Sequence, residues 1–318
     1  MSIIRKTGKT VKVKKKKLSG KHSYYAELYA LMALPLLAII IFSYVPMFGL
    51  IIAFKDYRFN KGILGSEWIG LKNFEFFLKS NDALIITRNT ILLNLLFIVV
   101  GILAALILAI LLYNVTSRRT TKVLQTMYIT PNFVGWVLVS YLVYAFLNPE
   151  YGMMNNFLKS IGLNEISWYA EPKYWPAILT IINVWKHVGM DSVMYYAALM
   201  GIDEALFEAA KIDGASNWQI TKKIMIPGIL PIISILTILK IGGIFKGDFG
   251  LFYQVTMNSA LLYDVTDVID TYVYRTMRET NNMSLTTAIG FLQSVVGMIM
   301  VIATNWLSKK IDRDNGLF

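Results

Sequence analysis

The chain has 318 residues, 56% of them hydrophobic and only 16% charged, where an average soluble domain carries about 25% charged residues. Its net charge is +11 and it has no cysteine, which excludes disulfide frameworks, zinc–thiolate centres and cysteine nucleophiles. The apolar residues come in blocks long enough to cross a bilayer, which predicts one all-α integral membrane bundle rather than soluble domains.

Residues 1–24 read as a basic tail, with Arg5, Lys6, Lys9, Lys12, Lys14, Lys15, Lys16, Lys17 and Lys21 all ahead of the first block. A basic run can mean nucleic-acid binding. Placed before a membrane helix, it reads instead as a topology signal or a contact with anionic lipid, and no nucleic-acid partner is expected. The first block, Leu28–Phe54, exceeds a signal-peptide core and has no cleavage site after it. It reads as an uncleaved helix bent near Pro35 or Pro46. The second block is 90–113, and the third is 123–147, interrupted by Pro131. The fourth, Trp175–Leu199, is unusually polar. The fifth is 228–245 and the sixth 285–307. Each approaches or exceeds the roughly 20 residues that cross about 30 Å of hydrocarbon. Lipid then forces helices, because a bare backbone has no partner there. The expected layout is about six transmembrane helices over 25–310, flanked by the basic tail and a short C-terminal tail, 311–318.

With the N-terminus inside, the inner segments 1–24, 114–122, 201–227 and 308–318 carry eighteen Lys/Arg against ten in the outer segments. This excess favours both termini inside. The outer loops are aromatic, with Trp68, Phe74, Phe76 and Phe77 in one and Phe249, Phe252, Tyr253, Tyr263, Tyr272 and Tyr274 in another. An interfacial belt accounts for most of them.

Ionisable residues inside membrane helices are costly, and they usually face a cavity or a partner. The fourth block holds Asn183, Lys186, His187 and Asp191, with Trp185 and Tyr195 in the same stretch. If the solute is a sugar, as the resemblance set out below implies, polar groups plus aromatic faces would hold it, so Asn183, Trp185, Lys186 and Tyr195 are candidates for a substrate path. The competing reading is a structural polar cluster, with Lys186 balancing Asp191 or snorkelling to an interface. Further path candidates are Asn94, which serves equally well as helix–helix glue, and Tyr141 and Tyr144. Lys240, Lys246 and Asp248 sit near the fifth helix and its exit. For a sugar path, Lys186, Lys240 and Lys246 hint at an acidic sugar unless Asp191 or Asp248 neutralises them. No metal site is expected around His187 alone.

The inner loop between the fourth and fifth blocks reads GIDEALFEAAKIDGASNWQITKKIMIP. Residues 205–211 are mostly strong helix formers. Gly214 breaks the run, Ser216 or Asn217 can cap a second short helix, and that helix is expected to end before Pro227. The result is helix, turn, helix, with small Ala209, Ala210 and Ala215 beside Glu208, Lys211 and Asp213. Such a surface suits docking into a partner's groove; an ordinary amphipathic interfacial helix is the plainer alternative.

Glu208-Ala209-Ala210, Asp213-Gly214-Ala215, Ile226-Pro227 and Leu230-Pro231 resemble the "EAA" loop of binding-protein-dependent ATP-binding-cassette importers. The stretch WKHVGMDSVMYYAAL at 185–199 and WIGLKNF at 68–74 are similar to carbohydrate-importer permeases. The segments YDVTDVIDTYVYR at 263–275 and SVVGMIMVIATNW at 294–306 resemble the branch that imports complex oligosaccharides. The resemblance covers roughly residues 25–310. It implies a coupling helix in which Glu208, Ala209, Ala210, Asp213 and Gly214 meet a cytoplasmic ATPase subunit. It also implies a second homologous permease, an ATPase dimer that carries the ATP and Mg, an extracellular binding protein, an oligosaccharide substrate and a bacterial cell membrane. The chain has no GxxxxGK[ST] phosphate loop, so it is not expected to hydrolyse ATP or to bind a cofactor itself. An ion-coupled carrier or channel is the alternative, and it would have no use for a docking loop. An embedded enzyme lacks support, since neither HExxH nor GxSxG occurs.

Overall fold

The computed structural model describes residues 21–311, so the basic residues of 5–17 and the tail beyond 311 lie outside the described residues. The described residues divide after Ile51 into two compact units. In the first, α1 (Lys21–Ile39) runs through Pro35 without ending. A π turn, Ile40–Tyr44, follows, and a tight 3-10 stretch, Val45–Phe54, begins in this unit and runs past its boundary. The change of hydrogen-bond pattern therefore falls around Pro46, whose missing N–H removes one rung of a regular helix. Leu31, Leu34 and Phe42 stand exposed on this unit, a display that is favourable only under lipid or a partner.

The second unit opens with two short antiparallel strands, β1 (Lys55–Asp56) and β2 (Glu67–Trp68). Everything that positions the site is helical: α2 (Lys72–Leu78), α3 (Asn81–Tyr113), α4 (Arg118–Phe133), α5 (Trp136–Leu147), α6 (Trp175–Leu199), α7 (Glu204–Ile212), α8 (Leu230–Gly242), α9 (Ile269–Thr280) and α10 (Met283–Ile311). Among the described residues, three helical stretches are long and apolar enough to cross a membrane: Leu28–Phe54, Asn81–Tyr113 and Met283–Lys310. Two bent pairs raise the number to five, α4 with α5 at 96° and Asn217–Gly228 with α8 at 60°. The 25-residue α6 has the length of a span, but its polar residues keep it out of that set.

Two devices hold the bundle's centre. The α3 helix starts where Ser80 Oγ accepts from the Ala83 N–H at 3.1 Å, a cap that satisfies one orphan donor. Its buried stripe narrows to Gly101, Ala105 and Ala109, a small-residue seam that lets a neighbouring backbone approach closely. The second device lies between α4 and α6. A Cβ on Gly189 would sit 1.8 Å from the Tyr128 carbonyl oxygen, so only glycine lets these two backbones meet. The third sequence block does not break at Pro131, which is accommodated within α4. It breaks at 134–135, one turn later, as the missing ring-nitrogen donor and the Gly135 hinge loosen the last turn together.

Gly189→Val forces a methyl-bearing carbon into the α4 backbone. Overpacking of this kind costs about 1–3 kcal/mol where neighbours can yield, and a main chain yields less than a side chain. We expect the purified variant to melt well below the wild type, while Gly101→Ala, which meets nothing within 4 Å, melts close to it.

Candidate functional site

The polar residues of α6 part into two sets. Asn183, His187 and Asp191 recur every fourth residue and line one cavity. Lys186 is on the other side, 5% exposed. Its Nζ donates to the carbonyls of Pro131 at 3.3 Å and Asn132 at 3.1 Å, and by a short bond to that of Val134. The ammonium also lies 4.9 Å from the centre of the Trp136 ring. These carbonyls end α4; that of Pro131 keeps the Val134 N–H at 3.1 Å, and those of Asn132 and Val134 have lost their helical donors to the break. A cation at a helix C-terminus also suits the local dipole. Lys186 is thus a cap on a broken helix. The alternative pairing with Asp191 is not made, because five residues along a helix point the two side chains apart.

The cavity has a volume of 230 Å³ and lies between α3, α6, α8 and the chain that leaves α8. Asn94, Asn183, His187, Asp191, Lys240 and Lys246 give it its polar lining. Lys240 Nζ donates to Asp191 Oδ2 at 2.8 Å. Asn94 Nδ2 donates to the carbonyls of Ile244 at 2.8 Å and Lys246 at 3.2 Å. It therefore fastens the exit of α8 to α3 and faces the cavity as well. Asp248 closes one end. Its Oδ2 accepts from the Trp136 indole at 3.0 Å, and its Oδ1 accepts from the N–H groups of Gly250 and Leu251. On the other side of Gly247, Asp270 accepts from the Gly247 N–H at 2.6 Å and from Gln293 at 3.1 Å. Burial pushes its carboxyl above the usual range, against the pull of those two donors.

The other expected path residues lie elsewhere. Tyr195 is wholly buried, its hydroxyl unpartnered among the described residues, and it packs with Ala105, Ala109 and Leu199. Trp185 and Tyr141 are 43% and 62% exposed and do not line the cavity. Tyr144 sits against the Tyr169 ring, centroids 5.6 Å apart. Of the path residues singled out by type, Asn94 and Asn183 are brought together; the aromatic ones and Lys186 are not. The signal that gathers the rest is the four-residue spacing 183/187/191. Among the described residues, no three His, Asp or Glu side chains gather where a metal could sit.

The loop after α6 is built as a rigid turn. Asp203 caps α7 by accepting from the Ala205 N–H at 3.0 Å. At its far end the Gly214 N–H donates to the Lys211 carbonyl and the Ala215 N–H to the Ala210 carbonyl. These two bonds form the αL closure of a helix, and they need the φ of +74° that Gly214 supplies. Ser216 and Gln219 then exchange side-chain bonds as a capping box. The second helix does not stop before Pro227. A π turn, Thr221–Met225, precedes it, and the Ile226 N–H reaches back five residues to Thr221. That wider rung accommodates the proline, and the bend comes only after Gly228. Phe207 is buried against the Tyr113 ring, at 5.5 Å, in the cluster that holds Ala105 and Leu199. Glu208, Ala209, Asp213 and Gly214 are exposed and Ala210 is half-buried. Beside them Leu206, Ile212 and Trp218 are 54%, 86% and 71% exposed. Periodicity alone would assign these three large apolar residues to a core.

A membrane bundle with a hydrophilic cavity, and a rigid lever packed onto the ends of its helices, is the anatomy of a transporter's membrane subunit. Residues 98–313 match the family model described as binding-protein-dependent transport system inner membrane component, and the chain belongs to that family. It is 34% identical to Protein LplB of Bacillus subtilis strain 168, over 92% of this chain and 91% of that protein. It is 32% identical to the polygalacturonan/rhamnogalacturonan transport system permease protein YteP of the same organism, over 95% of this chain and 94% of that one. Among solved structures, a bacterial ABC transporter involved in the import of the acidic polysaccharide alginate superposes with a TM-score of 0.83 at 32% identity, covering 92% of this chain and 98% of that one. The same transporter has been solved with its pentasaccharide-bound periplasmic protein. The chain is a permease subunit of an ATP-binding-cassette importer, embedded in a membrane by several helices, and ATP hydrolysis belongs to separate subunits of such importers.

Lys186→Met takes the ammonium from three carbonyls and leaves those of Asn132 and Val134 without a donor, at about 1–3 kcal/mol for each group left unsatisfied. The melting temperature of the purified chain should fall sharply. Adding Asp191→Ala should not restore it, since Asp191 is paired with Lys240; recovery in the double variant would contradict the cap.

Proposed function

We propose that this chain forms, with a second homologous permease, the path by which an oligosaccharide delivered by an extracellular binding protein crosses a bacterial cell membrane. An ATPase dimer that carries ATP and Mg would drive it. Six membrane helices with both termini inside fit this reading once α6 counts as a span that faces a wet cavity. Its polar residues then meet water or substrate rather than lipid. The observation that carries the proposal is the anchoring of α7. Phe207 ties it to the inner ends of α3 and α6, while Glu208, Ala209, Ala210, Asp213 and Gly214 lie on or beside its outer face. Closure of two ATPase subunits on that face would move a rigid lever, and the lever would move the helices that wall the cavity. The sugar substrates named for YteP and for the alginate importer support an oligosaccharide. A carrier or channel without an ATPase gains nothing from such a lever.

Co-expression with the cognate ATPase tests this. The wild type should co-purify with it. Gly214→Trp, which puts a bulky side chain where φ is +74°, should lose the ATPase and all uptake but still insert into the membrane. Phe207→Ala should keep the ATPase yet lose sugar-stimulated hydrolysis, because the lever is held but no longer tied to the bundle. Normal uptake by Gly214→Trp would contradict the coupling role.

Topology has its own test. The chain has no native thiol, so Asn156→Cys should react with an impermeant maleimide on intact cells. Reaction only after permeabilisation would reverse the orientation.

A further inference from the structure

The cavity contains an ion pair that a neutral sugar would not need. Asp191 and Lys240 meet between α6 and α8, and their side chains keep 23% and 33% of their exposure. The pair is partly covered but lies on the cavity wall, so an anion that enters the cavity can compete with the carboxylate for the ammonium. Lys246, also on the cavity wall, is exposed, and no described carboxylate lies within ion-pair distance of it. Asp248, the remaining cavity acid, is already committed. Its two oxygens serve the Trp136 indole and two backbone N–H groups. One ammonium is therefore free of direct ion pairing, with the Asp270 carboxylate acting on it only at longer range, and one is held by a displaceable carboxylate. Next to them, His187 Nδ1 meets the Asn183 carbonyl at 3.0 Å. A carbonyl only accepts, so Nδ1 carries the proton, and Nε2 of the neutral ring is left to accept from a hydroxyl.

We propose that Lys240 and Lys246 form a carboxylate subsite for an acidic sugar residue of the translocated chain, with Asp191 as the built-in anion that holds Lys240 until the sugar carboxylate replaces it. The proposal rests on the permease reading and names the substrate class of its cavity. An internal competitor has a physical use. A path must bind its cargo firmly enough to admit it and weakly enough to release it. An anion that returns to Lys240 as the sugar leaves does both.

Tri-galacturonic acid and its fully methyl-esterified form make a matched pair of probes, since they differ only in carboxylate charge. Each is titrated into the full-length chain in lipid nanodiscs, with intrinsic tryptophan fluorescence as the readout. The wild type should prefer the acid. Lys240→Met and Lys246→Met should each weaken acid binding by about fivefold, the worth of one solvent-screened charge contact, and leave the ester unchanged. Asp191→Asn should strengthen acid binding by a similar factor, and Lys240→Arg should keep the wild-type preference. The opposite signs of Asp191→Asn and Lys240→Met separate a competitor from a brace, because removing either half of a purely structural pair harms the site in the same direction. Equal binding of acid and ester, binding of neither, or weaker acid binding by Asp191→Asn would each overturn the subsite. The permease reading is judged independently by ATPase co-purification, and it stands if acid and ester bind alike.

Discussion

A backbone that breaks inside a membrane bundle must find donors for the carbonyls it frees, because lipid offers none. Here the break lies between α4 and α5, and the donor is one buried ammonium from a third helix. Lys186 reaches the carbonyls of Pro131, Asn132 and Val134, and its charge lies over the Trp136 ring. The same ring holds Asp248 through its indole N–H, and Asp248 caps the turn that follows the exit of α8. One chain of contacts thus links a helix break, the polar helix and the end wall of the cavity. Desolvating an ammonium is expensive. Three carbonyl acceptors and an aromatic face offset that cost, and geometry does the rest: Gly189 lets α6 lie directly on the α4 backbone.

This arrangement lets α6 do two jobs. The side that carries Lys186 is dry and fixed, while the side that carries Asn183, His187 and Asp191 is wet and lines a cavity. At its far end α6 passes into the α7 turn, where Phe207 packs against residues of both α3 and α6. A displacement of α7 is therefore transmitted to packed helices rather than absorbed by a loose loop. The αL closure at Gly214, the Ser216–Gln219 capping box and the Asp203 cap remove the slack that a plain connector would have. The proposed coupling needs only this stiffness together with a partner that grips the exposed face.

Much of the architecture was legible in the sequence, because helices in lipid leave long apolar runs. The bounds of α6 agree with its block to the residue, and the helix–turn–helix of the inner loop follows from propensity, Gly214 and Ser216. Membership in the importer family was legible from the Glu208-to-Pro231 spacing, and the family match bears it out. Less legible was how a proline would be met. Pro35 and Pro131 stay inside helices, and at Pro227 a preceding π turn widens the ladder to take the ring. The polar residues of α6 misled for a different reason. Selecting by chemical type put Trp185, Lys186 and Tyr195 into one path, although a period of 3.6 residues spreads them over different faces. The four-residue recurrence of Asn183, His187 and Asp191 was in plain view. Lys186 joined the list because an intramembrane charge suggests function, and only three-dimensional contacts reveal that it serves the backbone. Nothing in the sequence marks Ile212 and Trp218 as exposed.

The division of α6 into a dry face and a wet face is the claim on which the rest stands. Single cysteines placed at 183, 185, 186, 187 and 191 in the naturally thiol-free chain can be compared for reaction rate with a small, water-soluble methanethiosulfonate in membrane vesicles. Positions 183, 187 and 191 should react quickly, and position 186 should react slowly if at all. A cysteine at 186 that reacts as fast as one at 187 would mean that Lys186 faces the cavity, and the account would be wrong.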